Sequence, residues 1–145
     1  RTPKNFSVLT GTDLSELVDA AGGLKEKIAK AISGGPMMGF AMYTTDTPIT
    51  KTSSSILCMS KDEVSACEPT ACINCGRCVD ACPSRIIPSR LADFAERHDE
   101  EAFLKFNGLE CVECGSCSYV CPAKRQLKQA IGSMRKTALA NKKKK

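Results

Sequence analysis

A twelve-residue cysteine motif occurs twice in this chain and constrains its fold more than any other feature. Its spacing is C-x2-C-x2-C-x3-C-P, and it covers residues 72–83 and then residues 111–122. Three cysteines at intervals of two residues suit a tight loop around a [4Fe–4S] cluster, because each iron corner of the cluster requires a thiolate. Gly76 and Gly115 lack side chains and let the backbone approach the cluster sulfurs. The internal repeat therefore predicts two [4Fe–4S] clusters.

The fourth cysteine of each copy is predicted to bind the cluster of the other copy. It cannot fold back onto the cluster that its own loop surrounds, and in two-cluster proteins it ligates the neighbouring one. The first cluster is expected on Cys72, Cys75, Cys78 and Cys121. The second cluster is expected on Cys111, Cys114, Cys117 and Cys82. This crossed ligation would tie the two loops together and keep the clusters near each other.

Zinc and disulfide bonds are the two other uses that ten cysteines could have. Zinc sites typically pair two C-x2-C knuckles, so the third cysteine of each copy would be surplus around one tetrahedral ion. Disulfide bonds need an oxidising compartment, and neighbouring cysteines at this spacing are poor staples for a fold. A zinc-stabilised interaction module without redox chemistry is the alternative from a different class. Outside both sets, Cys58 is expected as a small buried apolar residue and Cys67 as a loop thiol.

Charge is distributed unevenly along the chain and marks a domain boundary near residue 66. Residues 1–66 carry no net charge, residues 67–122 carry −4 and residues 123–145 carry +9. All cysteines except Cys58 lie at position 67 or later. We therefore expect a first domain over residues 1–66 and a cysteine-rich second domain over residues 67–145 that ends in a basic tail.

The first domain is expected to be α+β, a compact mixed sheet with one helix. The alternating, β-rich residues 5–9 predict a first strand. Asp13 is a candidate N-cap for a helix over residues 14–21, which two glycines at positions 22–23 would stop. Further strands are predicted over residues 30–32, 40–42 and 55–59. Residues 34–39, Gly-Gly-Pro-Met-Met-Gly, predict a tight turn whose methionines fill the core.

The second domain is predicted to be helical outside its two cysteine loops. Apolar residues at helical spacing between positions 91 and 106 predict helices, with Asp99 as the N-cap of the second. Another helix is predicted over residues 126–140. His98, the only histidine, is expected on the surface, because cysteines already fill all eight ligand positions. This architecture differs from the compact β-hairpin ferredoxin.

The sequence argues against a membrane-spanning segment, a secretory leader and nucleic-acid binding. The least polar stretch, residues 31–45, is too short and too rich in glycine to span a bilayer. No apolar segment follows Arg1, so no secretory leader is expected, and the missing initiator Met suggests an excerpt of a longer protein. The basic segment 123–145 has no interleaved aromatic residues, so nucleic acid is not an expected partner. Residues 141–145 are expected as a solvated lysine tail. The alternative is that the whole segment 123–145 is a surface for an acidic redox partner or an anionic membrane.

Three stretches of the chain closely resemble the RnfC component of the Rnf complex. They are residues 34–39, residues 72–78 and residues 110–125, and the resemblance runs over nearly the whole chain. It implies a β-grasp domain of the soluble-ligand-binding type at residues 1–66, followed by an α-helical ferredoxin domain with two [4Fe–4S] clusters at residues 67–145. In this family the flavin- and NADH-binding part comes first, so FMN and NADH are expected only in a missing N-terminal part.

The resemblance also implies a role in electron transfer. Rnf is a membrane complex that moves electrons between reduced ferredoxin and NAD and couples this reaction to Na⁺ or H⁺ transport. RnfC would be peripheral on the cytoplasmic face of the membrane, with the other Rnf subunits and ferredoxin-type proteins as partners. The chain alone is expected to be an electron carrier without catalytic residues or a substrate site. A cobalamin reductase-type protein with the same domain order is the alternative within redox proteins.

Overall fold

The computed structural model describes residues 3–24, 26–64 and 66–143. The chain forms two compact units, Arg1–Ala66 and Cys67–Lys145, and its architecture is α+β as predicted. In the described ranges, no helix is both long enough and apolar enough to cross a membrane.

The described residues of the first unit form one helix and a three-stranded antiparallel sheet. The elements are α1 (Leu14–Ala20), β1 (Lys30–Ser33), β2 (Phe40–Met42) and β3 (Ile56–Met59). Strand β1 is central and pairs with β2 on one side and β3 on the other. Ala31 lies opposite Met42 in one neighbour and Cys58 in the other. Ala31 and Ile32 are buried, so the small core of this unit lies at the central strand.

Two consecutive glycines end α1, as the sequence predicts. Gly22 and Gly23 adopt φ values of 95° and 70°, in the left-handed region that residues with a Cβ rarely occupy. This geometry turns the Gly23 N–H back to donate to the Val18 carbonyl at 2.9 Å. A carbonyl at the helix end, which would otherwise lack a partner, is thereby satisfied.

The predicted first strand and the mixed sheet are wrong. Residues 5–9 are not a strand, and Phe6 and Val8 are 40% and 39% exposed. The backbone that follows pairs with a different segment, because the Gly11 N–H donates to the Ile49 carbonyl at 2.9 Å and the Ile49 N–H donates to the Thr12 carbonyl at 2.8 Å. Alternation in a sequence indicates a possible face but does not supply a pairing partner.

The turn at residues 34–39 is present, but its methionines do not fill the core. Met37 and Met38 are 44% and 63% exposed. The Gly39 N–H closes the turn by donating to the Gly35 carbonyl at 2.8 Å. A side chain on Gly39 would collide with the carbonyl oxygens of Ser33 and Gly35, so the backbone here is too close for any other residue. This close approach leaves the methionines at the tip of the turn.

The second unit is helical, as predicted. Its helices are α2 (Arg77–Asp80), α3 (Pro88–Glu96), α4 (Glu100–Lys105), α5 (Ser116–Tyr119) and α6 (Leu127–Lys142), with a 3-10 turn at Gly108–Glu110. Helices α2 and α5 are single turns inside the two cysteine motifs. Helices α3 and α4 lie between the motifs, and α6 follows the second.

The core of the second unit forms where α3, α4 and α6 pack together. Leu91 of α3, Phe103 of α4, and Leu127 and Ile131 of α6 are at most 2% exposed. Each such side chain contributes about 1.5–3 kcal/mol by leaving water. The motif cysteines Cys78, Cys82, Cys111 and Cys121 pack against the same cluster, and Cys117 is part of it. The hydrophobic core therefore holds the cysteine loops directly.

The junction between α3 and α4 is fixed by local hydrogen bonding. Asp99 is the N-cap of α4, and its Oδ1 accepts the Ala102 N–H at 2.9 Å, as the sequence predicts. His98 lies on the surface just before this cap, which confirms its expected exposure. At the other end of α4, Gly108 packs against the ring of the fully buried Phe103.

Candidate iron–sulfur centres

The two cysteine motifs fold in the same way. The second residue of the spacer between the first two cysteines is left-handed in both copies, with φ of 54° at Asn74 and 55° at Glu113. The glycine after the second cysteine is also left-handed, with φ of 78° at Gly76 and 84° at Gly115. Each glycine is followed by one helical turn, α2 or α5. The sequence repeat is thus a structural repeat.

A small cavity gathers the four cysteines expected around the second cluster. Cys82 from the first motif lines it together with Cys111, Cys114 and Cys117 from the second. Ile86 and Ile131, which are 7% and 1% exposed, form part of its wall. The fourth cysteine of the first copy therefore lies with the three loop cysteines of the second copy.

The four cysteines expected around the first cluster are more open. Cys78 and Cys121 pack against the core of the unit, whereas Cys72 and Cys75 are exposed. A backbone hydrogen bond joins the segments that carry two of them, because the Thr70 N–H donates to the Ala123 carbonyl at 3.0 Å. Thr70 lies two residues before Cys72, and Ala123 lies two residues after Cys121. The chain just before the first motif therefore lies next to the chain just after the second motif.

The donor chemistry of this site suits an iron–sulfur cluster. All eight motif cysteines carry free thiols. Within the described ranges, no three or more His, Cys, Asp or Glu side chains converge tightly enough to hold a single metal ion. A cubane needs a wider set of four soft thiolates, and the cavity lined by Cys82, Cys111, Cys114 and Cys117 offers that set.

The ionisation of the second set of cysteines reflects their burial. Burial raises the pKa of Cys117 to about 11 and also raises the pKa of Cys111. Hydrogen bonds from Ser116, whose Oγ lies 3.5 Å from the Cys114 sulfur, lower the pKa of Cys114. Because an iron ligand must be a thiolate, a cluster held here would require proton loss from Cys117 and from the half-buried Cys111.

Arg125 is a residue of this region that the motif analysis missed. Its Nη2 lies 2.9 Å from Asp93 Oδ1 and 2.9 Å from Glu96 Oε1, both on α3. Burial acts to lower the pKa of Arg125, but the hydrogen bonds to Asp93 and Glu96 outweigh it and raise the pKa. These contacts tie the turn after Cys121 to the helix that supports the core. Only its long-range partners reveal its role, so no local pattern could have found it.

Two family models match parts of this chain. A family model described as a 4Fe-4S dicluster domain matches residues 71–125. A second model, described as an SLBB domain, matches residues 1–41. The first match covers both cysteine motifs and the two helices between them. The second covers α1, β1 and most of β2.

Curated relatives cover most of the chain. The C subunit of the proton-translocating ferredoxin:NAD(+) oxidoreductase complex of Clostridium ljungdahlii is 49% identical over 132 residues, 90% of this chain. The C subunit of the Na(+)-translocating complex of Acetobacterium woodii is 38% identical over 144 residues, 99% of the chain. The C subunit of the ion-translocating oxidoreductase complex of Methanosarcina acetivorans is 43% identical over 129 residues, 89% of the chain. The chain spans only 29%, 32% and 29% of these relatives, respectively.

Proposed function

Because the chain belongs to the RnfC family, the C subunits of ion-translocating ferredoxin:NAD(+) oxidoreductase (Rnf) complexes, we propose that it is the part of such a subunit that relays single electrons. Two [4Fe–4S] clusters would each accept one electron at a time, which divides the two electrons of a hydride into separate steps. The protein would supply the thiolates and fix their spacing.

The observation that carries this proposal is the mixed origin of the cysteine-lined cavity. Cys82 comes from one motif copy, and Cys111, Cys114 and Cys117 come from the other. A zinc site also joins two segments but pairs one C-x2-C knuckle with another. The set here is one cysteine with three, which is the ligand pattern of two-cluster iron–sulfur proteins. We therefore assign the second cluster to these four cysteines. The first cluster is assigned to Cys72, Cys75, Cys78 and Cys121, which the hydrogen bond from Thr70 to Ala123 supports.

We also propose a fold for the first unit, further cofactors and partners. The first unit is assigned as a β-grasp domain of the soluble-ligand-binding type, supported by the SLBB match over residues 1–41. FMN and NADH would bind a part of the protein that precedes these two units. The partners would be the other Rnf subunits and ferredoxin-type redox proteins, with peripheral attachment to the cytoplasmic face of the membrane through the complex.

Anaerobic reconstitution of the full chain with iron and sulfide tests the function. We expect about eight irons and eight sulfides per chain, with an EPR signal after reduction by dithionite. A colourless protein that retains stoichiometric zinc would instead support the structural alternative. Clearly fewer than about eight irons in a well-folded preparation, such as the four of a single cluster, would refute the two-cluster assignment.

The Cys82→Ser variant tests the crossed ligation. We expect it to lose the cluster held by Cys111, Cys114 and Cys117, because Cys82 lines their cavity. About half of the iron should be lost. Cys58→Ser is the matched control, since Cys58 lies on β3 of the other unit. Loss of the cluster on Cys72, Cys75 and Cys78 alone would contradict crossed ligation.

A further inference from the structure

Arg135 contacts both sides of Cys111. It lies on α6, where its Nε donates to the Leu109 carbonyl at 3.1 Å and its Nη1 donates to Glu113 Oε1 at 3.2 Å. Leu109 and Glu113 are the residues two positions before and two positions after Cys111. One guanidinium thus spans the segment that presents the first cysteine of the second motif.

Glu113 is held against α6 by shape as well as by charge. A Cβ placed on Gly132 would come within 3.1 Å of Glu113 Oε2, so the carboxylate packs over the space that this glycine leaves. Gly132 and Arg135 are three residues apart and therefore share one face of the helix. The side chains of Arg135 and Glu113 are only 31% and 26% exposed, which limits screening of the ion pair by water.

The first motif is built differently at the same position. Asn74 occupies the place of Glu113 and has nearly the same backbone angle, with φ of 54° against 55°. Its side-chain Oδ1 lies 3.7 Å from the Cys72 sulfur, within its own loop. The link to α6 through Arg135 therefore belongs to the second loop and not to the general geometry of the motif.

We propose that Arg135 is a positioning residue of the second cluster, which holds the Cys111–Cys114 loop in the conformation that grips the cluster and sets its reduction potential relative to the first. This inference rests on the proposed two-cluster function. Non-glycine residues are strained in the left-handed conformation that Glu113 adopts, and the ion pair compensates for that strain. Left-handed turns also direct backbone N–H groups toward bound anions.

The charge of Arg135 should affect the reduction potential of the second cluster, whereas its contacts with the loop should affect the rate of iron loss. Measuring both separates a positioning role from a purely structural one. Removing the Arg135 cation disfavours the more negative, reduced cluster, so Arg135→Gln should lower the potential of the second cluster. Removing the Glu113 anion should raise it. Both changes release the loop, so both should accelerate iron loss from the second cluster. Lys128 is another cation that lines the cavity, and it is the same in both variants, so it does not contribute to the difference between their potentials.

The test uses the reconstituted full chain and a ferrous chelator. In Arg135→Gln we expect about half of the iron to leave about tenfold faster than in the parent, because hydrogen bonds to charged groups of this kind are lost. Arg135→Lys keeps the charge but not the two-pronged contact and should give an intermediate rate. Lys136→Gln, an exposed neighbour on α6, removes the same charge and is the matched control. In a Cys82→Ser background, Arg135→Gln should add nothing.

Each outcome bears on the proposal separately from the function. Equal acceleration of all the iron, or no acceleration beyond Lys136→Gln, would overturn the positioning role while leaving the two clusters intact. Potentials that move in the same direction in Arg135→Gln and Glu113→Gln would also overturn it. Failure of the parent chain to hold clusters would instead refute the proposed function.

Discussion

Gly108→Ala gives a direct test of how the core positions Cys111. The methyl group of alanine would overlap three atoms of the Phe103 ring, Cδ1, Cε1 and Cζ. Phe103 of α4 is fully buried in the core that α4 forms with α3 and α6, so the ring can move only by displacing packed neighbours. Gly108 has no positive φ, so the backbone itself would accept alanine. The whole penalty of the substitution is therefore steric.

The expected penalty lies in the upper part of the range for overpacked cores, about 2–3 kcal/mol. For a unit of the size of Cys67–Lys145, each kcal/mol lowers the melting temperature by about 4–8 °C, so a decrease of roughly 10 °C or more is expected. Since the Cys111 N–H donates to the Gly108 carbonyl at 3.4 Å, the displaced turn should also loosen the second cysteine loop.

Thermal unfolding of the cluster-loaded chain, followed by circular dichroism and by visible absorption, measures both effects. Gly35→Ala is the matched control, because a Cβ on Gly35 meets nothing within 4 Å. Phe103→Leu should relieve part of the overlap. The double variant Gly108→Ala/Phe103→Leu should therefore lose less unfolding free energy than the sum of the losses in the two single variants. A melting temperature within about 2 °C of the parent for Gly108→Ala, on the order of the control's error, would refute the packing argument.

Three further predictions concern the supports of the second unit. Asp99→Ala should cost about 1 kcal/mol of unfolding free energy in chemical denaturation, because α4 loses its N-cap; a cost no greater than that of a surface substitution would contradict this. Arg125→Gln should cost about 1–2 kcal/mol, discounted for the exposure of Glu96, whereas Arg97→Gln on the exposed surface should cost little. In the cluster-free chain, alkylation of Cys117 should accelerate about tenfold per pH unit up to pH 11, because its raised pKa leaves about one thiolate in a thousand at about pH 8; a rate that levels off near about pH 9, the ordinary range of a thiol, would argue against the burial.

Local sequence signals predicted the elements that depend on local chemistry. The glycines at positions 22 and 23, the Asp99 cap and the apolar spacing of α3, α4 and α6 each act through neighbours within a few residues. Residues 5–9 failed because a strand needs a partner, and an alternating pattern does not specify one. The exposure of Met37 and Met38 was missed because it follows from the close backbone approach at Gly39, which involves residues on both sides of the turn.

In the candidate site, the cysteines are predictable from the sequence but the residues that support them are not. The spacing of the repeat predicts the eight cysteines and their crossed grouping, because cluster geometry limits which thiolates can reach one cubane. The contacts of Arg125 with α3 and of Arg135 with the second loop join residues more than 20 positions apart. No local pattern links the two partners of such a pair. These supports became visible only when the helices were placed against the loops.

The shared cavity also has a consequence for the order in which the protein can mature. Cys82 leaves the ribosome well before Cys117, and the backbone contact of Thr70 waits for Ala123. Neither proposed set of four cysteines can be completed on a nascent chain that stops between the two motifs. Under the proposed crossed ligation, cofactor delivery would follow synthesis of nearly the whole second unit, and a truncated translation product would leave its early thiols unfilled and open to oxidation.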